Sequence, residues 1–91
     1  MDIRKVFGIN MRRLRLAARL SQEAIAERMG VDRAHVSGME RGLQNVTLLT
    51  LWQAAQALGC RASQLLDERN EMESAATQSG ARAPRKRRTK T

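Results

Sequence analysis

Through the first two thirds of the chain, apolar residues recur at three- and four-residue spacings, and the repeat resets at Ser, Asp, Thr or Gly. Residues 2–19 place Ile3, Val6, Phe7, Asn10, Leu14 and Ala17 at the helical period. Asp2 stands where a carboxylate can accept the unpaired N–H groups of the first turn. Gly8 interrupts this helix at a cost of about 1 kcal/mol relative to Ala. Ser21 then caps a second helix, QEAIAERM, with Glu23 well placed in its first turn. After Met29-Gly30-Val31, Asp32 is the expected cap of a third helix, and Gly42 its stop. Leu43 to Val46 read as a loop. Thr47 caps a fourth helix, LLTLWQAAQAL, with Leu48, Leu51, Ala54, Ala55 and Leu58 expected on its inner face and Gly59 as its end. A fifth helix, roughly residues 62–67, carries Leu65 and Leu66. From Asn70 onward apolar content falls to scattered Ala and Met72. No strand pattern or internal repeat is present. The expectation is an all-α bundle of five short helices over residues 1–69, followed by a disordered basic tail over 70–91.

Ser21 to Gly42 is the stretch with the most specific geometry. Ala26 lets two helices cross closely, and Gly30 accepts the positive φ of a sharp turn at little steric cost. Ile25 and Val36 face inward and hold the crossing. Two helices joined by a short glycine-containing turn form a helix-turn-helix.

Composition narrows the partner. Of 91 residues, 17 are Lys or Arg and 9 Asp or Glu, a net charge of +8 that favours a polyanion. That charge divides evenly: residues 1–69 carry eleven basic and seven acidic side chains, net +4, and residues 70–91 six and two, again +4. With so mild a charge on the globular part, docking has to come from geometry. Aromatics number only Phe7 and Trp52, too few for stacking single-stranded bases. A duplex read through its grooves fits better. One cysteine, Cys60, allows no intramolecular disulfide, and a lone His35 without clustered Cys, Asp or Glu makes a poor metal site. No cofactor is implied. With no apolar run near the ~20 residues of a membrane span and no signal-peptide pattern at the N-terminus, a cytoplasmic protein is expected.

On the third helix Val36, Met39 and Glu40 share one face, with Ala34, Ser37, Gly38 and Arg41 opposite and Arg33 and His35 on the flanks. Small residues at the centre of the outward face, Gly38 included, suit a helix seated in the roughly 12 Å major groove. Recognition helices touch base edges through their N-terminal residues. Arg33 is therefore the candidate for a two-pronged contact to guanine, and Ala34 for contact with a thymine methyl. Ser37 reaches a base or a phosphate. His35 has three readings: a solvent-facing side chain, a base or phosphate contact, or a catalytic or metal role, for which it lacks clustered partners. Gln22, Gln44 and Asn45 are neutral donors suited to phosphate clamping. Arg4, Lys5, Arg12, Arg13 and Arg19 on the first helix are either a solvated face or partly phosphate-facing. Glu40 points inward, where an unpaired carboxylate is expensive, and Arg15 is its expected partner.

The run LSQEAIAERMGVDRAHVSGMERG, followed by NVTLLTLWQAAQALG and ASQLL, resembles the Xre/Cro-C1-type helix-turn-helix family of phage repressors and bacterial regulators. DRAHVSGMERG with Gln44-Asn45-Val46-Thr47-Leu48 is most similar to the controller proteins of restriction–modification systems. The resemblance implies a compact five-helix, lambda-repressor-like fold, and a homodimer on an operator upstream of its own gene. It implies base contacts from Arg33, Ala34, His35 and Ser37, and a phosphate contact from Gln22; Arg41, Gln44 and Asn45 are further candidates for phosphate contact by their place at the third helix's end and in the loop. Arg15 and Glu40 match its inter-helix salt bridge. Its dimer surface implies Leu65, Leu66 and Trp52. Two departures are Val46, where many members carry Pro, and the long basic tail.

Two functions of different class follow. One is a sequence-specific, homodimeric transcriptional regulator on a pseudo-palindromic duplex. The other is a protein-interaction module of antitoxin type, neutralising an unidentified toxin and binding DNA for autoregulation. No paired carboxylates, activated nucleophile or phosphate loop supports an enzyme.

Overall fold

The computed structural model describes residues 1–69, which form five helices in the order expected. α1 spans Ile3–Ala17, α2 Gln22–Met29, α3 Arg33–Glu40, α4 Leu48–Leu58 and α5 Ala62–Leu65. The tail expectation for residues 70–91 lies outside the described residues.

The starts of the helices are fixed by side-chain oxygens. Asp2 accepts from the Arg4 N–H at 2.9 Å, Ser21 Oγ from the Ala24 N–H at 3.0 Å, and Thr47 Oγ1 from the Thr50 N–H at 3.1 Å. Asp32 occupies the cap position of α3 in extended conformation, but its carboxylate accepts no backbone N–H there. That cap is a correction to the sequence reading. α5 is also shorter than expected, ending at Leu65, and its first turn is closed by Gln64 Oε1 accepting from the Arg61 N–H at 2.9 Å.

α1 and α2 both pack on α3, α4 closes over α2, and α5 ties α4 back to α1. The core is Val6, Phe7, Met11, Ile25, Ala26, Met29, Val36, Met39, Ala54, Ala55, Ala57, Leu58 and Leu65. The inward stripe of α1 is Val6, Phe7, Gly8, Asn10, Met11 and Arg15. Ile3 and Ala17, placed on that stripe by period alone, are exposed, because the stripe runs past the ends of the core. Leu48 is a larger correction. It was expected inward, yet it is 84% exposed at the first turn of α4.

Gly8 permits the α1–α3 crossing. A Cβ there would stand 2.5 Å from the Glu40 carbonyl oxygen and 2.6 Å from that of Met39. The helices approach backbone to backbone, which no side chain allows. Two residues on, buried Asn10 sends Nδ2 to the carbonyls of Leu65 and Asp67, both at 3.0 Å. One amide thus fastens the end of α5 to the middle of α1. Next to it, the Arg69 guanidinium holds the Asp67 carboxyl down at about 2.

Candidate nucleic-acid interface

The helix-turn-helix is built as its residues dictate. Gly30 takes φ 73°, and the Val31 N–H donates to the Ala26 carbonyl at 2.9 Å across the turn. Ile25 and Val36 are fully buried between the two helices. Gly42 takes φ 77° just past α3, with the Leu43 N–H donating to the Gly38 carbonyl at 3.0 Å. Both turns are glycine-closed helix ends that set the exit angle of the chain.

This scaffold presents α3 edge-on. Val36, Gly38, Met39 and Glu40 are buried, while Arg33, Ala34, His35 and Arg41 are exposed and Ser37 is half-buried. Four of the residues expected to meet a partner therefore share an open surface with Ser37 at its margin. Gly38 does not. It lies under the Gln44 side chain, and a Cβ there would fall 2.8 Å from Gln44 Nε2. The glycine was expected to clear the outer face; it makes room for the α3–α4 loop to fold back instead. Asn45 stays exposed at the loop tip, and Gln44 is half-buried.

Behind the open surface stands a polar cluster. Arg15 Nε donates to Glu40 Oε2 at 2.6 Å and Nη2 to Oε1 at 3.1 Å, while Nη1 donates to the Leu20 carbonyl at 2.9 Å. Gln22 Nε2 donates to Glu40 Oε1 at 3.1 Å, and Gln22 Oε1 accepts from Arg33 Nη1 at 3.2 Å. The pairing of Arg15 with Glu40 follows the sequence expectation; the placement of Gln22 between Glu40 and Arg33 does not. Nothing in the residue spacing signals it.

A second surface lies on α4. Leu49 and Trp52 are 63% and 57% exposed beside Leu48, and Leu43 and Leu66 are exposed as well. Of the residues expected at a dimer surface, Trp52 and Leu66 are exposed. Leu65 is not, being 0% exposed in the chain's own core beneath the Asn10 hydrogen bond. Leu48 and Leu49 were missed as surface residues, although Trp52 lies three residues after Leu49 and four after Leu48, the spacing of a second apolar stripe.

Among the described residues no group of three His, Cys, Asp or Glu side chains is placed to hold a metal, and no helix is long and apolar enough to cross a membrane.

Comparison with known proteins agrees with this geometry. A helix-turn-helix family model matches residues 11–65. The chain is 41% identical over 71 residues to an HTH-type transcriptional regulator, y4dJ, of Sinorhizobium fredii, covering 78% of this chain and 92% of that one. It is 41% identical over 66 residues to the control protein C.SmaI of Serratia marcescens, covering 72% and 79%. Among solved structures, the restriction–modification controller protein C.AhdI of Aeromonas hydrophila aligns with a TM-score of 0.66 at 42% identity, over 68% of this chain and 94% of that one. The chain belongs to the Xre/Cro-C1-type helix-turn-helix family of DNA-binding transcriptional regulators.

Proposed function

We propose that two copies of the chain bind a pseudo-palindromic duplex operator and control transcription from it in the manner of a restriction–modification controller. The observation that carries this reading is the exposed N-terminal half of α3 on a fully buried inner face. Arg33, Ala34, His35 and Ser37 then meet base edges, with one α3 in each of two successive major grooves about 34–36 Å apart. Arg41, Asn45 and Gln44 contact phosphates at the far end of α3. Gln22 contributes the second hydrogen of Nε2, the first being engaged by Glu40.

The two copies meet through Leu48, Leu49, Trp52 and Leu66, an apolar surface that one chain leaves uncovered. Dimerisation gives the rotational symmetry that a palindromic site requires. The protein acts in the cytoplasm, and the basic tail adds sequence-independent phosphate contacts. The mass of the complex on a short bound duplex tests the reading: two chains per duplex are expected. One chain per duplex contradicts it, and co-purification of a small partner bound at α4 in place of a second copy favours the antitoxin alternative.

A further inference from the structure

The seam between α1 and α3 has a charged outer edge. Gly8 and Arg15 are the α1 residues on the seam, Gly8 against the carbonyls of Met39 and Glu40 and Arg15 against the Glu40 carboxylate. Three residues before each, one step around the helix, stand Lys5 and Arg12. Both are exposed, on the side of α1 turned away from Met11 and the core. Across the seam, Arg33 and Ser37 flank Glu40 on the outward side of α3. The outer edge of α1 and the open face of α3 are therefore one surface.

Lys5 is held at this edge by its stem. A Cβ at Gly42 would stand 2.8 Å from Lys5 Cγ and 3.1 Å from its Cα, so the Lys5 stem lies against the residue that follows Arg41. The ammonium is thereby kept at the C-terminal end of α3. Among the described residues neither Lys5 nor Arg12 enters a hydrogen bond or an ion pair through its side chain. The other cations of α1 are placed differently. Arg4 is engaged by Asp2 at 2.9 and 3.2 Å. Arg13 lies toward α5, where its charge acts on Asp67. Arg19 follows the last turn of the helix.

We propose that Lys5 and Arg12 extend the DNA-binding surface onto α1: with α3 in the major groove, this edge of α1 lies along one wall of it and both cations contact the sugar-phosphate backbone. The proposal rests on the reading that α3 enters the groove. The surface is continuous with the one that reads bases, and its two unpaired positive charges complement the strand. Lys5 and Arg12 are seven residues apart, about 10.5 Å along the helix. One strand carries a charge about every 3.4 Å of axis, so the two meet separate phosphates. Contacts of this kind fix the register of α3 and carry no sequence information of their own.

Salt dependence counts such contacts, because each neutralised phosphate adds about 0.9 to the slope of log affinity against log salt. The test measures that slope for the full-length chain on the duplex it selects from a random pool, and for Lys5→Met, Arg12→Met and the double variant. Methionine keeps an unbranched stem and removes the charge. Two chains per duplex lose two contacts with each substitution, so each should make the slope shallower by about 1.8, and the double by about 3.6. Base preference and helicity should be unchanged. Arg13→Met, an equal charge removed from the α5 side of the same helix, should leave the slope as it is. A change below about 1.8 in the double variant, an altered base preference, or a change in Arg13→Met as large as in either single variant would overturn the proposal. Lys5→Gln and Arg12→Gln, with the same outcomes, serve if the methionine variants do not fold. Arg33→Ala, selected in parallel, tests the underlying reading by itself: if it relaxes no base pair, that reading falls whatever the slopes show.

Discussion

Arg15 and Glu40, twenty-five residues apart on α1 and α3, meet in a two-pronged ion pair with contacts of 2.6 and 3.1 Å. Each partner is otherwise satisfied, Arg15 by the Leu20 carbonyl and Glu40 by Gln22. Removing one member of a buried pair leaves a charge without a partner, at about 3–5 kcal/mol. Arg15→Met should lower unfolding free energy in urea by that amount. Arg15→Lys should not restore it, because a single ammonium cannot supply three directed bonds in a plane. Wild-type stability in either variant would show that the pair contributes nothing.

Gly8→Ala sets two effects of opposite sign against each other. Alanine is the better helix former by about 1 kcal/mol. The added Cβ, however, would meet two α3 carbonyls at 2.5 and 2.6 Å, and backbone cannot move aside as a flexible side chain does. Overpacking of this kind costs about 1–3 kcal/mol, and here it must also push α1 off α3. The thermal midpoint should fall. A rise would mean that the helices have slack at the crossing.

The α4 surface predicts a change of assembly without a change of fold. Leu49 and Trp52 project from α4 into solvent, so a charge at either disturbs no core contact. Leu49→Glu or Trp52→Glu should sediment as a monomer while keeping wild-type helicity. An unchanged dimer would move the interface elsewhere.

Cys60 is half-buried beyond the α4 end, and burial raises its thiol above the ordinary value. A raised folded-state value means that the protonated thiol is favoured by folding, so this contribution is present below the unfolded thiol's value and lost as pH rises through the folded one. At pH 8 alkylation by iodoacetamide should be slower in the folded chain than in urea, and the gap should narrow as pH rises. Equal rates at pH 8 would contradict a shielded thiol.

Most of the fold was legible because it rests on local chemistry. Ser21 and Thr47 cap where their oxygens dictate, and Gly30 and Gly42 turn where a positive φ is required. The misreadings share another origin. Period alone placed Leu48 inward, but whether anything lies opposite the first turn of α4 is a tertiary fact. Gly38 was read as facing out, and only the fold of the loop brings Gln44 over it. Leu65 and Leu66 are adjacent and alike in sequence, yet Asn10 draws the first into the core and leaves the second outside. Gly38 apart, the outward set on α3 was legible from helical geometry; the polar path behind it, from Arg15 to Arg33, required three helices to be in place.

The central claim is that α3 reads DNA from its N-terminal half, in pairs. Selection of bound duplexes from a random pool, run in parallel with wild-type and Arg33→Ala chains, tests it most directly. Wild type should enrich two inverted half-sites with centres about 10–10.5 base pairs apart or a multiple of it. Arg33→Ala should relax one symmetry-related base pair in each half, losing about 1–3 kcal/mol of discrimination there. No enriched motif, a motif without inverted symmetry, or an Arg33→Ala motif identical to wild type would contradict it.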